Sequence, residues 1–339
     1  MSRLFAILLG LGAPLATAPL PAAEASPAGP WKVGTFEQTW HDAKRGRDVP
    51  VKIYFPTGPG APGTSPVIVF SHGLGGSREG YGYLGQCWAS HGYISVHVQH
   101  LGSDTAVLRN WRPGQSMQKA LADPANAINR PLDISFAIDR LTALNANPAF
   151  PLYRHLDLAR LGVAGHSFGA FTTMAVAGVR LPVLGGDSQY RDPRIKAAIA
   201  MSTPAASGDQ TSAPFDAVRI PVFHMTGTKD ESPGARQGGA ATGDLGQTPA
   251  SARRRPFDRT RHATAYLLTF SGGDHMVFSG RFATPRPQDA EFQALVCAGS
   301  VAFWNAYLRD DGNARRWLDE GGFATALGRL GTFEQKHAP

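Results

Sequence analysis

The chain has 339 residues, with 33 Lys and Arg against 26 Asp and Glu and a formal net charge of +7. A chain of this length buries a core without covalent staples, and two cysteines, Cys87 and Cys297, exclude a disulfide-dense scaffold. Part of the basicity is local: Arg253, Arg254, Arg255, Arg259 and Arg261 follow a Gly/Ala-rich stretch and enclose Asp258. That run reads as a solvated loop or helix end rather than a nucleic-acid face, with attraction to anionic surfaces left open.

Residues 1–25 have the form of a secretory leader. Arg3 supplies the basic end, residues 4–15 an apolar stretch too short to remain as a membrane span, and Ala18, Ala23 and Ala25 candidate cleavage points. Pro19 argues against the first of these. No later segment is long and apolar enough to cross a bilayer, so the expectation is a secreted or periplasmic protein without an integral membrane segment. The ~310 residues that follow, 26–339, are expected to form one domain.

Alternating stretches at 33–40 and 49–55 flank a polar turn and predict a β-hairpin at a sheet edge. A largely apolar strand at 66–71 leads into His72-Gly73-Leu74-Gly75-Gly76. A helix over 81–90 closes on His91-Gly92, and 93–98 is the next strand. Residues 101–130 read as a long irregular connection, of the kind that covers or lines a site. The spacing of Ile134, Ala137, Ile138, Leu141 and Leu144 predicts a helix.

Gly165-His166-Ser167-Phe168-Gly169 then interrupts an apolar strand and opens a helical run. This is the G-x-S-x-G elbow, in which a strained Ser projects from a sharp strand-to-helix turn. The motif points to a serine hydrolase. Strands follow at 195–201 and 220–225, the second ending in Thr226-Gly227-Thr228-Lys229-Asp230-Glu231. Residues 232–262 form a second long loop. The last strand, 265–270, ends in Ser271-Gly272-Gly273-Asp274-His275, and 292–308 is an apolar-faced helix. The order predicts an α/β protein with a doubly wound, mostly parallel sheet and an N-terminal hairpin, its ligands at the C-terminal strand ends.

A serine hydroxyl needs a base, and the base needs an orienting acid, in the chain order Ser, acid, His for this motif. Asp230 lies just past a strand. Glu231 and Asp216 are weaker, Asp216 because it precedes its strand. Of the eleven histidines, His275 alone sits in the turn directly after the final strand, where the base belongs; His262 precedes that strand and His337 is in the tail. Asp274 is its sequence neighbour and reads as a turn residue. Backbone N–H groups of Phe168 and Leu74 are the expected oxyanion donors. His72 and His166 read as loop anchors. His97 and His100 are three apart on a strand and face opposite ways, so no metal site is expected, and no cofactor. Cys87 and Cys297 are either buried thiols or a bridge; in this fold their two helices cover the same sheet face.

Ser-His-Gly-Leu-Gly at 71–75, Ala-Ser-His-Gly-Tyr at 89–93 and Gly-His-Ser-Phe-Gly at 165–169 resemble the plasma-type platelet-activating-factor acetylhydrolases. They resemble equally the bacterial lipases and predicted dienelactone hydrolases related to them. The resemblance runs from residue 34 to the C-terminal helix. It implies an α/β-hydrolase fold, with Ser167 as nucleophile, His275 as base, and Leu74 and Phe168 as oxyanion donors. The eukaryotic acetylhydrolases carry their acid after the strand that follows the nucleophile helix. Here that place reads Met201-Ser202-Thr203, without a carboxylate, which leaves Asp230 as the acid. Dienelactone hydrolases proper carry Cys at the elbow, where this chain has Ser.

The expected function is an exported serine carboxylic ester hydrolase acting through an acyl-enzyme on small to medium, lipid-like esters. Trp111, its neighbouring leucines and Met276-Val277-Phe278 are the expected apolar lining. The alternatives are a cutinase-like hydrolase acting on a polyester, and a non-catalytic binding protein on a hydrolase scaffold.

Overall fold

In the computed structural model, which describes residues 28–109, 113–180, 190–204, 213–232, 248–280 and 286–338, the polar turn at 43–46 folds β1 (Lys32–Asp42) back on β2 (Arg47–Thr57). This is the expected hairpin, and β1 lies at the sheet edge. The leader expected at 1–25 lies outside the described residues.

After the hairpin the chain forms β3 (Ser65–Ser71), β4 (Ile94–Val98), β5 (Leu156–His166), β6 (Ile195–Met201), β7 (Val222–Lys229) and β8 (Ala265–Asp274). The nine-stranded sheet has the order β1-β2-β4-β3-β5-β6-β7-β8-β9, and its six strands from β4 to β8 run parallel. Strands β3 and β4 are buried along their whole length, as parallel strands covered on both faces must be. Their side chains alternate between two cores. Ile68 and Phe70 join Trp88, Val296 and Phe303 under α1 (Gly82–Ser90) and α6 (Pro287–Leu308). Val67 and Val69 join Ile134, Leu141, Ala170 and Met174 under α3 (Pro124–Asn145) and α4 (Phe168–Ala177). The fold is the doubly wound α/β-hydrolase arrangement.

Because α1 and α6 share a face, Cys87 meets Cys297, and the two form a disulfide with a Cα–Cα distance of 6.1 Å. Trp88 reinforces the same seam by donating from Nε1 to Ser300 Oγ at 2.8 Å.

Three expectations need correction. Residues 101–130 are not an irregular connection. They hold a 3-10 turn (Thr105–Leu108), α2 (Pro113–Ala122) and the first turns of α3. Asp123 caps α3 by accepting from Ala125 N, and the helix continues through Pro131. The buried positions of that first half are largely polar, Asn126, Arg130 and Asp133 among them, so a search for apolar spacing passes over it. Second, the loop placed at 232–262 has structure in its described part: a 3-10 turn (Ala250–Ala252) and α5 (Arg255–Arg259), while 233–247 lie outside the described residues. Third, β8 is not the last strand. After α7 (Gly312–Asp319) and α8 (Gly322–Leu327), β9 (Gly331–Lys336) pairs antiparallel to β8 at the far edge. Its mixed sequence Gly-Thr-Phe-Glu-Gln-Lys suits a half-exposed edge and carries no apolar run. Among the described residues no helix is long and apolar enough to cross a membrane.

Candidate active site

The elbow forms because two glycines let three backbones meet. A Cβ on Gly165 would lie 2.3 Å from the Gly169 carbonyl oxygen, and one on Gly169 only 1.9 Å from that of Ser71. Between them Ser167 takes φ 57° and ψ −118°, a strained conformation for a residue with a side chain. Its N–H is held by Met201 O at 2.9 Å, at the end of the neighbouring β6.

Strands β7 and β8 are parallel neighbours that run further than their apolar runs suggest, pairing as far as Lys229 with Asp274. Asp230 and His275 therefore leave from adjacent strand ends. His275 Nδ1–H donates to Asp230 Oδ1 at 2.7 Å, and Ser167 Oγ lies 2.9 Å from His275 Nε2. The three residues form one hydrogen-bonded line. Asp230 is fully buried, and its second oxygen accepts from Thr226 Oγ1 at 2.8 Å. Burial by itself would raise this carboxyl. The His275 hydrogen bond and the Arg253 cation outweigh it and hold Asp230 well below the usual carboxylate range.

Of the other candidate acids, Asp216 pairs at the surface with His262 at 3.7 Å. Asp274 ends β8, where it accepts from Met276 N at 3.0 Å and pairs with Arg286 at 3.3 Å. The place where the family resemblance would put the acid, Met201-Ser202-Thr203, offers no carboxylate, and Ser202 there takes φ 52°.

Arg253 was not legible as a site residue. Its guanidinium is buried, donates from Nε to Asp230 O (3.1 Å) and from NH1 to Ser202 O (2.9 Å) and Thr203 O (3.1 Å), and reaches Ser232 Oγ at 2.9 Å. It ties the ends of β6 and β7 together beneath the acid. Its NH2 also lies 3.3 Å from His275 Nδ1. That nitrogen already donates to Asp230 and cannot also accept, so this is a close approach of a cation rather than a hydrogen bond. Its neighbour Arg254 stays at the surface, paired with Asp258 and Glu334, as the solvated reading of the run expects.

The glycine loop after β3 is fixed by its own donors. Gly73 N donates to Tyr81 OH (3.2 Å), Gly75 N to Ser103 O (2.9 Å) and Gly76 N to Gly73 O (3.0 Å). The Leu74 N–H has no partner among the described residues. Phe168 opens α4, so its N–H has no carbonyl of its own helix to donate to. Both expected loop anchors are present. His72 Nδ1–H donates to Gly73 O, and His72 Nε2 accepts from His100 N. His166 accepts from Tyr81 OH at 2.8 Å and donates to the His275 carbonyl at 2.9 Å, so it holds the His275 turn against the glycine loop.

His97 lies on β4, but His100 lies past its end, so the two do not share a strand as the spacing argument assumed. His97 contacts Gly80 O at 3.1 Å, while His100 bonds Ser71 and Asp133. Among the described residues the grouping close enough to share a metal ion is Cys87, His91 and Cys297, and its two sulfurs are joined to each other.

The apolar lining needs correction. Val277 and Phe278 belong to the core under α6, and Trp111 lies outside the described residues. Among the described residues, Met276 beside His275, at 38% exposure, and Leu108 against Gly75, at 39%, are the large apolar side chains left open. Leu74, Leu121 and Ile128 pack on Phe168 and Phe171 over the elbow helix.

A sequence model of the family described as platelet-activating factor acetylhydrolase, isoform II, matches residues 49–110, from β2 through the glycine loop and β4, and stops short of Ser167. Two curated relatives are named platelet-activating factor acetylhydrolase. The one from Canis lupus familiaris is 30% identical over 154 residues, covering 37% of this chain and 33% of its own length. The one from Cavia porcellus is 26% identical over 145 residues, covering 32% and 31%. The chain thus spans about a third of the length of the curated relatives it matches, and over those stretches it is similar to platelet-activating factor acetylhydrolases.

Proposed function

We propose that this chain is an exported serine carboxylic ester hydrolase, a single catalytic domain behind a cleaved leader, that works through an acyl-enzyme. The observation that carries this reading is the line from Ser167 Oγ through His275 to the buried Asp230, with 2.9 and 2.7 Å links. His275 Nε2 takes the hydroxyl proton as Oγ bonds to the ester carbonyl carbon. The carbonyl electron pair moves onto oxygen, where the N–H groups of Leu74 and Phe168 receive it. The pair returns, the C–O bond to the alcohol breaks, and His275 passes its proton to the departing oxygen. Water then repeats the sequence on the acyl-enzyme with His275 again as base. Asp230 keeps the ring in the tautomer with hydrogen on Nδ1 throughout.

The similarity to the acetylhydrolases favours short acyl groups and a lipid-like alcohol part. Leu108 and Met276, exposed beside the glycine loop and His275, favour a second reading in which the same groups act on a polyester. A series of p-nitrophenyl esters from acetyl to long acyl, run beside an aliphatic polyester film, tests both. Turnover highest on the short esters and weak on the film is the expected result. No turnover of any ester would contradict the proposal, and a preference for the film would replace the first substrate class with the second.

A further inference from the structure

Beneath the glycine loop lies a cation that the chemistry above does not use. Arg130 on α3 is fully buried, and each of its hydrogen bonds goes to a neutral acceptor. Nε donates to Thr172 Oγ1 at 3.0 Å, NH1 to Ser103 Oγ at 2.8 Å, and NH2 to Ser71 Oγ at 3.1 Å and to the His72 carbonyl. No carboxylate lies within ion-pairing distance of it among the described residues.

The nearest acid, Asp133, is already matched. It receives Arg45 NH1 at 2.7 Å and Arg47 at 3.0 Å, and Asp42 receives Arg45 Nε at 2.6 Å. Two arginines thus pair with two carboxylates, and Arg130, which Asp133 stabilises only from a distance, has no ion pair of its own among the described residues. The link between Arg130 and Asp133 is a relay that carries no charge. Ser71 Oγ–H donates to His100 Nε2 at 2.9 Å, and His100 Nδ1–H donates to Asp133 at 3.0 Å. Burial, with Arg130 adding to it, lowers His100 to about 4, so it stays neutral at ordinary pH. Burial lowers Arg130 itself to about 9, which still leaves it cationic.

An unmatched buried charge is costly, and its surroundings show where it acts. Arg130 grips the carbonyl just before Gly73-Leu74. Through Ser103 it holds the segment whose carbonyl fixes Gly75 N. Its guanidinium carbon stacks 4.5 Å from the centre of the Phe168 ring. Thr172 Oγ1, which it donates to, itself donates to Phe168 O at 3.0 Å. One side chain therefore joins the strand end that carries Leu74 to the helix start that carries Phe168.

We propose that Arg130 is the positioning residue of the oxyanion site: it locks the two backbone donors in register and supplies the buried positive charge whose counter-charge is the oxygen anion of the tetrahedral intermediate. This rests on the ester-hydrolase reading, and the test separates the two. Wild type, Arg130→Met, Arg130→Lys and Thr172→Val are compared for kcat per fluorophosphonate-titrated site, for KM, and for binding of a trifluoromethyl ketone and its methyl ketone counterpart. The trifluoromethyl ketone adds Ser167 Oγ and places a negative oxygen in the site; the methyl ketone does not.

Arg130→Met is expected to lower kcat and trifluoromethyl ketone affinity together by about 10- to 100-fold, somewhat below the cost of deleting an oxyanion donor outright. KM and methyl ketone affinity should stay within about threefold, and Arg130→Lys should recover part of the loss because it keeps the charge without the fork. A purely structural role would reduce the number of titratable sites and leave the ratio of the two ketone affinities unchanged. If Arg130→Met does not fold, Thr172→Val carries the same pattern at about three- to tenfold, since it frees one guanidinium bond in an isosteric frame. Unchanged kcat and ketone ratio in the folded variants overturn the inference. Failure of the wild type to hydrolyse any ester would instead remove the function beneath it.

Discussion

Two Ser–His–Asp lines stand out among the described residues, and the proposed chemistry uses only one of them. Ser167–His275–Asp230 and Ser71–His100–Asp133 have nearly equal link lengths, 2.9 and 2.7 Å in the first, 2.9 and 3.0 Å in the second. Their surroundings differ. Ser167 sits in a strained turn at a strand end, partly open, with its lone pairs free to attack. Ser71 ends a regular strand, has no exposed surface, and accepts from Arg130. Connectivity alone does not make a nucleophile; access and an unoccupied lone pair do. The buried line acts instead as scaffolding for the loop that would receive the oxyanion.

The largest expected effect separates the two serines. Ser167→Ala should cost about 10⁵- to 10⁶-fold in ester turnover, with the melting temperature little changed. Ser71→Ala should cost less than about tenfold in turnover but about 1–3 kcal/mol in stability, because it leaves buried polar atoms short of partners. Comparable activity losses in the two variants would erase the distinction.

Next come the two acids. Asp230→Asn should lower kcat by about 10⁴-fold, since the His275 tautomer is no longer fixed. Asp133→Asn should act on stability, by about 3–5 kcal/mol, by leaving Arg47 without its carboxylate and Arg45 with Asp42 alone. Denaturant titration beside kinetics checks both, and an Asp133→Asn protein that is stable but inactive would break the comparison.

The smallest effect sharpens the lesson about burial. His224, on β7, is buried with neither ring nitrogen partnered among the described residues, and burial with Lys336 nearby lowers it to about 3. Its folded value lies below its unfolded one, so the unfolded chain binds the proton first, and stability falls as pH drops from about 6.5 toward 3. His224→Leu removes that loss. It should stabilise the protein at pH 8 by about 1–3 kcal/mol, and by roughly a further 2 kcal/mol at pH 5. Melting curves at the two pH values decide, and equal gains at both would show that the histidine is not held neutral.

Most of the sheet was legible because its strands are short apolar runs bounded by Gly, Pro and charged turns, and residues 195–201 were delimited to the residue. The Ser167–His275–Asp230 line was legible for a related reason. The elbow has a steric signature in Gly165 and Gly169, and Asp230 and His275 each follow a strand. What stayed hidden is polar burial. The first half of α3 turns Asn126, Arg130 and Asp133 inward, so apolar periodicity fails just where the helix supports the site. Arg253 was hidden in a run of arginines, because nothing local distinguishes the one that turns inward from Arg254, which does not. The far edge strand β9 carries too little apolar pattern to declare itself.

The most direct measurement of the central claim is to treat the protein with a fluorophosphonate and locate the adduct by peptide mass spectrometry. The account predicts one adduct, on Ser167, formed in parallel with loss of ester turnover and absent from Ser167→Ala. An adduct on Ser71, or undiminished labelling of Ser167→Ala, would contradict it.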